Sequence, residues 1–221
     1  MARRISKDPD TRKREIAAAA QALFVEKGFA ETRISDIARR IGVSQGVFYY
    51  YFGSKEDVVD AIVAGYMSEL IAASEQAAAG VSEPLARLAA LAEAQQRINA
   101  QVNAGIHAIK GVDIHERIIR ALVRDYVPLM QEALDGHGAN ADTRYWIEAF
   151  VVAGNVLFDP GLFRWSDEEH EARVTYLIGL MEKTRNLPAG SLGFYRGLMR
   201  APSTQTDESV TAGDALPTSA L

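Results

Sequence analysis

Apolar residues recur along the chain at spacings of three and four. No run of useful length alternates with the two-residue period of a strand, so the pattern predicts an all-α fold. Residues 1–7 read as a loose basic arm. Asp8-Pro9 then suits a helix start, with an acceptor side chain at the cap and a proline where no N–H is needed. Ile16, Ala20, Leu23 and Phe24 form the inner stripe of that helix, and Gly28 is its stop. Thr32 or Arg33 opens a short helix with Ile34, Ile37, Ala38 and Ile41 on one side. Gly42-Val43 interrupts it, Ser44 caps another short helix running to Tyr51, and Phe52-Gly53 breaks that one.

Ser54-Lys55-Glu56-Asp57 restarts the chain as a long helix with a cap-like pattern. Val58, Ile62, Tyr66 and Leu70 recur on it beside Val59, Val63, Met67 and Ile71, up to a stop at Gly80. Ser82 and Pro84 open a helix whose inner positions are Leu85, Leu88, Ala92, Ile98, Val102 and Ile106, and Gly111 breaks it. The next helix is lined by His115, Ile119, Leu122, Tyr126 and Met130, with a kink expected at Pro128. A loop follows at 135–140. Tyr145 to Phe158 is apolar nearly all round, so that helix is expected to be buried on two sides. Ser166–Glu169 forms a capping box for a last long helix carrying Tyr176, Leu177, Leu180 and Met181. A short amphipathic piece is expected around Phe194–Met199. Residues 202–221 are rich in Ser, Thr, Ala and Pro and read as a disordered tail.

Charge sharpens this picture. The net charge of −5 is divided unevenly: residues 1–55 hold 11 Lys and Arg against 6 Asp and Glu, and the rest hold 13 against 23. A basic head on an acidic body fits a polyanion partner for the head alone, although a chance surplus on a solvated face has the same appearance. The chain has no cysteine, which removes disulfides and thiolate chemistry and fits a reducing cytoplasm. No apolar run is long enough to span a membrane, and no secretory signal is expected after the basic start. The chain is therefore expected to be cytoplasmic with no membrane partner.

Thr32 to Lys55 is the informative stretch. Two short helices joined at Gly42-Val43 make a helix-turn-helix, with Ile37, Ala38, Ile41, Val43 and Phe48 as its small core. The other face of the second helix then shows Gln45, Gly46, Val47, Tyr49, Tyr50 and Tyr51. Glutamine can read adenine edges, apolar groups can meet thymine methyls, and tyrosine hydroxyls can donate to phosphate. Lys55, beside a helix N-terminus, suits phosphate pairing. A structural αα-hairpin is the competing reading, in an interaction module or a helical ligand-binding protein. The two are separated by where Gln45, Tyr50 and Lys55 point: inward for the hairpin, outward on one basic face for DNA.

The stretch from Thr32 to Asp57, with its flanks over about residues 11–62, resembles the DNA-binding signature of the TetR-type transcriptional regulators. The resemblance implies an all-α homodimer with an N-terminal three-helix helix-turn-helix domain and a C-terminal bundle that dimerises and encloses a small-molecule pocket. Carried over by position, Gln45, Gly46, Val47 and Tyr50 would face bases. Thr32, Arg33, Ser44, Tyr49, Tyr51 and Lys55 would hold or face the phosphate backbone of a double-stranded operator. Val47 departs from the Ser, Thr or Ala common at its position, which removes a hydrogen bond. Domains are drawn at 1–55 for DNA binding and 56–201 for regulation and dimerisation. A repressor released by an effector is the expected function, with an activator of the same family as the alternative.

Dimerisation is expected through the Tyr145–Phe158 helix and the helix from Asp167, with Gly154 allowing close backbone approach. Polar groups on apolar stripes suggest a ligand pocket formed by Gln95, Asn99, His107 and His115 with Tyr126, Trp146 and Phe150. His107 and His115 are eight residues apart across a glycine, which is not metal-ligand spacing. His170 lies among Glu168, Glu169 and Glu171 at a solvated helix start. No nucleophile triad order, phosphate loop or nucleotide fingerprint appears, so neither enzyme activity, nor a metal, nor a cofactor is expected.

Overall fold

The structure is a computed structural model. It describes residues 8–102, 106, 109, 111–136, 138, 140–159 and 161–199. The arm at 1–7, His107 and the tail at 202–221 lie outside the described residues. Every regular element among those described is helical. They are α1 (Pro9–Lys27), α2 (Ile34–Arg40), α3 (Gln45–Tyr51), α4 (Lys55–Ala78), α5 (Pro84–Val102), α6 (Ile114–Ala121), α7 (Val127–Asp135), α8 (Ala141–Leu157) and α9 (Asp167–Thr184). A π-helical turn, Leu122–Tyr126, joins α6 to α7, and a 3-10 turn, Gly193–Gly197, follows α9.

Local chemistry sets the helix starts. The Asp8 carboxylate accepts from the Thr11 N–H at 3.1 Å, with Pro9 in the first turn of α1. Ser54 and Asp57 cap α4 reciprocally at 3.1 Å each way. Ser166 and Glu169 do the same for α9, at 3.0 and 3.3 Å. Each pair satisfies N–H groups that the first helical turn leaves without partners.

Pro128 has the effect expected of it, though displaced along the chain. It offers no N–H to the Arg124 carbonyl and crowds the preceding turn. The chain responds by widening over Leu122–Tyr126, where the Val127 N–H donates to the Leu122 carbonyl five residues back. A single kinked helix in the sequence reading is therefore two α-helices separated by a π turn.

One apolar core runs from Ile16 in α1 to Met199, and α4 is its spine. Val58, Val59, Ile62, Val63, Met67 and Leu70 are buried on it. It packs against α1 near its start and against α5 and α6 beyond. The expectation for α8 is met only in part. Thr143, Ile147 and Phe150 are buried, but Tyr145 is 65% exposed and Val152 is also exposed. Positions 145, 149 and 152 share a helical face that is exposed among the described residues. On α9, Leu177 and Met181 are buried while Tyr176, 74% exposed, and Leu180 point outward.

Candidate nucleic-acid interface and bundle cavity

The reading head is built from the inside out. Phe24, Ile37 and Phe48 are fully buried, and Ala38 is nearly so. Gly42 turns the chain between α2 and α3 at φ +68°, where a side chain would be strained. Two cross-links fix α2 against α1: Arg40 to Glu26 at 2.7 Å and Lys27 to Asp36 at 3.2 Å. The Arg33 N–H, then Lys27, hold the Asp36 carboxyl below its usual range, and Arg40 does the same for Glu26.

With Phe48 anchored inward, Ser44, Gln45, Gly46, Tyr49 and Tyr50 of α3 face solvent, and Val47 is half-buried. Tyr50 is 79% exposed and Tyr49 55%. The Ser44 side chain makes no capping bond, so its hydroxyl stays outside the helix's own accounts. Arg33 is exposed at the start of α2. These residues offer amide, hydroxyl, guanidinium and apolar groups.

Three of the residues expected at phosphate make contacts within the protein itself. Thr32 is completely buried, and its hydroxyl donates to the Leu23 and Gly28 carbonyls at 3.2 and 2.8 Å. Its role is to close the end of α1. The Lys55 ammonium donates to the Phe29 and Thr32 carbonyls at 2.8 Å each and sits 4.5 Å from the Phe29 ring centroid. It pins α4 to the α1–α2 turn, because the loop carbonyls there lack helical partners and a cation satisfies several at once. Tyr51 is half-buried against the core, its ring edge-on to Tyr50 at 4.9 Å. Gln45 and Tyr50 therefore point outward and Lys55 points inward.

The bundle holds a cavity of about 80 Å3 between α5, the π turn, α7, α8 and the C-terminal turn. Of the expected ligand residues, Gln95, Asn99, Tyr126 and Phe150 line it. His115 does not: its Nδ1 lies 2.5 Å from Asp159 Oδ2, tying the start of α6 to the end of α8. Trp146 is also elsewhere, donating from its indole to Met181 O at 3.3 Å and Thr184 Oγ1 at 3.0 Å. His107 lies outside the described residues. Gly154 faces the cavity and the Met199 methyl, where an added Cβ would come within 3.1 Å, so its small size serves the bundle interior rather than the seam proposed for it.

Among the lining residues that sequence reasoning missed are Leu122, Met130, Val151, Tyr195, Leu198 and Met199. The only signal for the last three was the short amphipathic piece around Phe194–Met199, which gave no hint of where it docks.

Two phenols knit α4 to this region. Tyr66 donates to Asn99 Oδ1 at 2.8 Å, and burial pushes its phenol up to about 12, partly offset by the Gln95 amide. Tyr126 donates to the Leu91 carbonyl at 3.1 Å and lies 3.0 Å from Ser74 Oγ.

Residues 16–62 match the family described as bacterial regulatory proteins, tetR family. The transcriptional repressor KstR2 of Mycobacterium tuberculosis is 33% identical over 88 residues, which are 40% of this chain and 44% of that protein. The transcriptional regulator BetI of Yersinia pestis is 37% identical over 84 residues, 37% of this chain and 42% of BetI. These alignments span less than half the length of either relative. A solved transcriptional regulator of the TetR/AcrR family from Thermobifida fusca is 30% identical with a TM-score of 0.51, and the match covers 76% of this chain and 96% of that one. With the helix-turn-helix segment matched and a regulator of this kind followed over nearly its whole length, the chain belongs to the TetR family of bacterial transcriptional regulators.

Proposed function

We propose that the chain is a sequence-specific DNA-binding repressor, acting as a homodimer on a palindromic operator and released from it by a small-molecule effector. The observation that carries the reading is the outward face of α3. Gln45, Gly46 and Tyr50 stand clear of a helix fixed from behind by Phe48. Gln45 would read an adenine edge, Val47 and Tyr50 would offer apolar contact to thymine methyls, and Ser44, Tyr49 and Arg33 would hold phosphates. Repression is favoured over activation by the likeness to KstR2, a transcriptional repressor.

The dimer reading is supported by the uncovered apolar groups of α8 and α9: Tyr145, Val152, Tyr176 and Leu180. A two-fold axis there would present two α3 helices to half-sites about 34–36 Å apart, or a multiple of that. The effector reading is supported by the cavity. An effector that prefers one dimer conformation would shift the spacing of the heads, and one with equal affinity for both would do nothing.

Selection of bound duplexes from a random pool by the purified full chain tests this function. A recovered palindrome is the expected result. Absence of enrichment at low salt would sink it in favour of a protein-interaction module.

A further inference from the structure

The bundle cavity has walls of unequal strength. Most of its lining comes from α5, the π turn, α7 and α8. The remaining wall is the chain after α9, which contributes Tyr195, Leu198 and Met199. This strap, residues 188–199, has one 3-10 turn, and its printed backbone bonds join residues only three or four apart. Such turns are short and have poorer hydrogen-bond geometry than an α-helix. The strap is also thin. Tyr195 and Met199 are buried, while Arg196 and Gly197 between them are exposed. Of the residues lining the cavity, Asn155 alone is exposed, and the Met199 methyl is seated against Gly154 beside it.

A small set of latches holds the strap down. Buried Glu182 of α9 accepts from the Gly190 and Leu192 N–H groups at 3.1 and 2.8 Å. The Gln96 amide of α5 donates to the Phe194 carbonyl at 2.9 Å. Arg196 pairs with Glu171 and donates to Thr175 Oγ1 at 3.0 Å. Glu171, Thr175 and Glu182 share one face of α9, since helical neighbours on a face recur at such spacings. Gly197 makes room for the α5 latch, because a Cβ there would come within 2.6 Å of the Gln96 amide oxygen and dislodge it.

Few tertiary ties on a short turn give a low cost of local opening. We propose that residues 188–199 are the gate of the cavity. The strap lifts from α9 and α5 as a unit, withdraws the Met199 methyl from Gly154 and admits a small molecule. The proposal rests on the effector reading above and adds to it the route by which the site fills.

The test uses the absence of cysteine from the chain. Met130 lies on α7, lines the cavity and is 3% exposed. In Met130→Cys it becomes the single thiol, and its rate of reaction with methyl methanethiosulfonate, a small neutral reagent, reads access to the cavity. Adding Gly197→Ala should speed labelling about tenfold, and adding Glu182→Gln about as much, as expected for the loss or weakening of one latch. Alanine is not strained at position 197, whose φ is not positive. Labelling should also stay flat in low denaturant, since lifting the strap exposes little surface.

A labelling rate that both substitutions leave unchanged would overturn the proposal. So would labelling that rises with denaturant as steeply as global unfolding, because access would then need the whole bundle to open. Should Met130→Cys fail to fold, hydrogen exchange on the parent chain decides. The Leu192, Tyr195 and Met199 amides, bonded to Glu182, Leu192 and Tyr195, should exchange about a hundredfold faster than those of Ile147 and Phe150 in α8. Equal protection would overturn the gate. These measurements need no DNA, so their failure leaves the effector reading standing. A gate that opens as expected, while the labelled and filled cavity leaves operator affinity unchanged, would count against the effector reading and leave this one standing.

Discussion

At the scale of single residues, two side chains from one stretch of sequence do opposite jobs. Gln45 is exposed, so among the described residues its amide is open to a base edge. Gln45→Ala should relax preference at one base position per half-site, at a cost of about 1–3 kcal/mol on the preferred base. Binding to scrambled DNA should be little changed, and operator-variant titrations check both. Lys55 is spent on the protein itself. Removing its ammonium leaves the Phe29 and Thr32 carbonyls short of a donor and loses the cation–π contact. Lys55→Ala should therefore lower the stability of the DNA-free chain by about 1–3 kcal/mol. Denaturant unfolding without DNA measures this, and an unchanged midpoint would return Lys55 to a phosphate role. The sequence showed that a lysine stands at a helix start. It did not show that Phe29, Ala30 and Thr32, 23 to 26 positions earlier, fold back to meet it, because that contact depends on the α1–α2 turn closing over α4.

At the scale of elements, starts and stops were legible because they rest on local chemistry. Asp8, Ser54 and Ser166 cap the helices they were expected to cap. Less legible were effects that pass between elements. Pro128 announced a disturbance but not its form, since a kink and a π turn both relieve the missing N–H. His115 and Trp146 sat on plausible stripes, yet their partners, Asp159 and the Met181–Thr184 turn, are 44 and 35–38 residues away. The join between α1 and α2 gives a prediction at this scale. Asp36 and Glu26 have folded pKa values below the ordinary 3.8 and 4.5. A depressed carboxyl contributes stability above its unfolded pKa and loses it as pH falls through the folded value. The α1–α2 packing should therefore loosen below about pH 4 and be unaffected above pH 5. Hydrogen exchange at the Ile37 and Ala38 amides should show it, and Asp36→Asn should flatten that acid limb.

At the scale of the molecule, the apolar surplus of one helix is itself informative. Tyr145–Phe158 has too much apolar surface for one contact face, and the chain folds only one of its faces inward. On α9, Tyr176 and Leu180 are exposed as well. Exposed apolar groups at helical spacing on two neighbouring helices cost solubility unless a second surface covers them. A second copy of the same face is the partner that closes under two-fold symmetry without further assembly. A four-helix seam of this kind would also set the distance between the two α3 helices. Tyr176→Glu with Leu180→Glu places four like charges at that seam in a dimer, and they would have to be buried or pushed apart. The double variant should sediment as a monomer with its helical content intact, since neither side chain contributes to the chain's own core. Its affinity for a single half-site should stay within a few-fold of the parent, while its advantage on the full palindrome should vanish. A variant that stays dimeric would move the interface elsewhere. A monomer that kept the palindrome advantage would mean that the two heads cooperate through the DNA rather than through the protein.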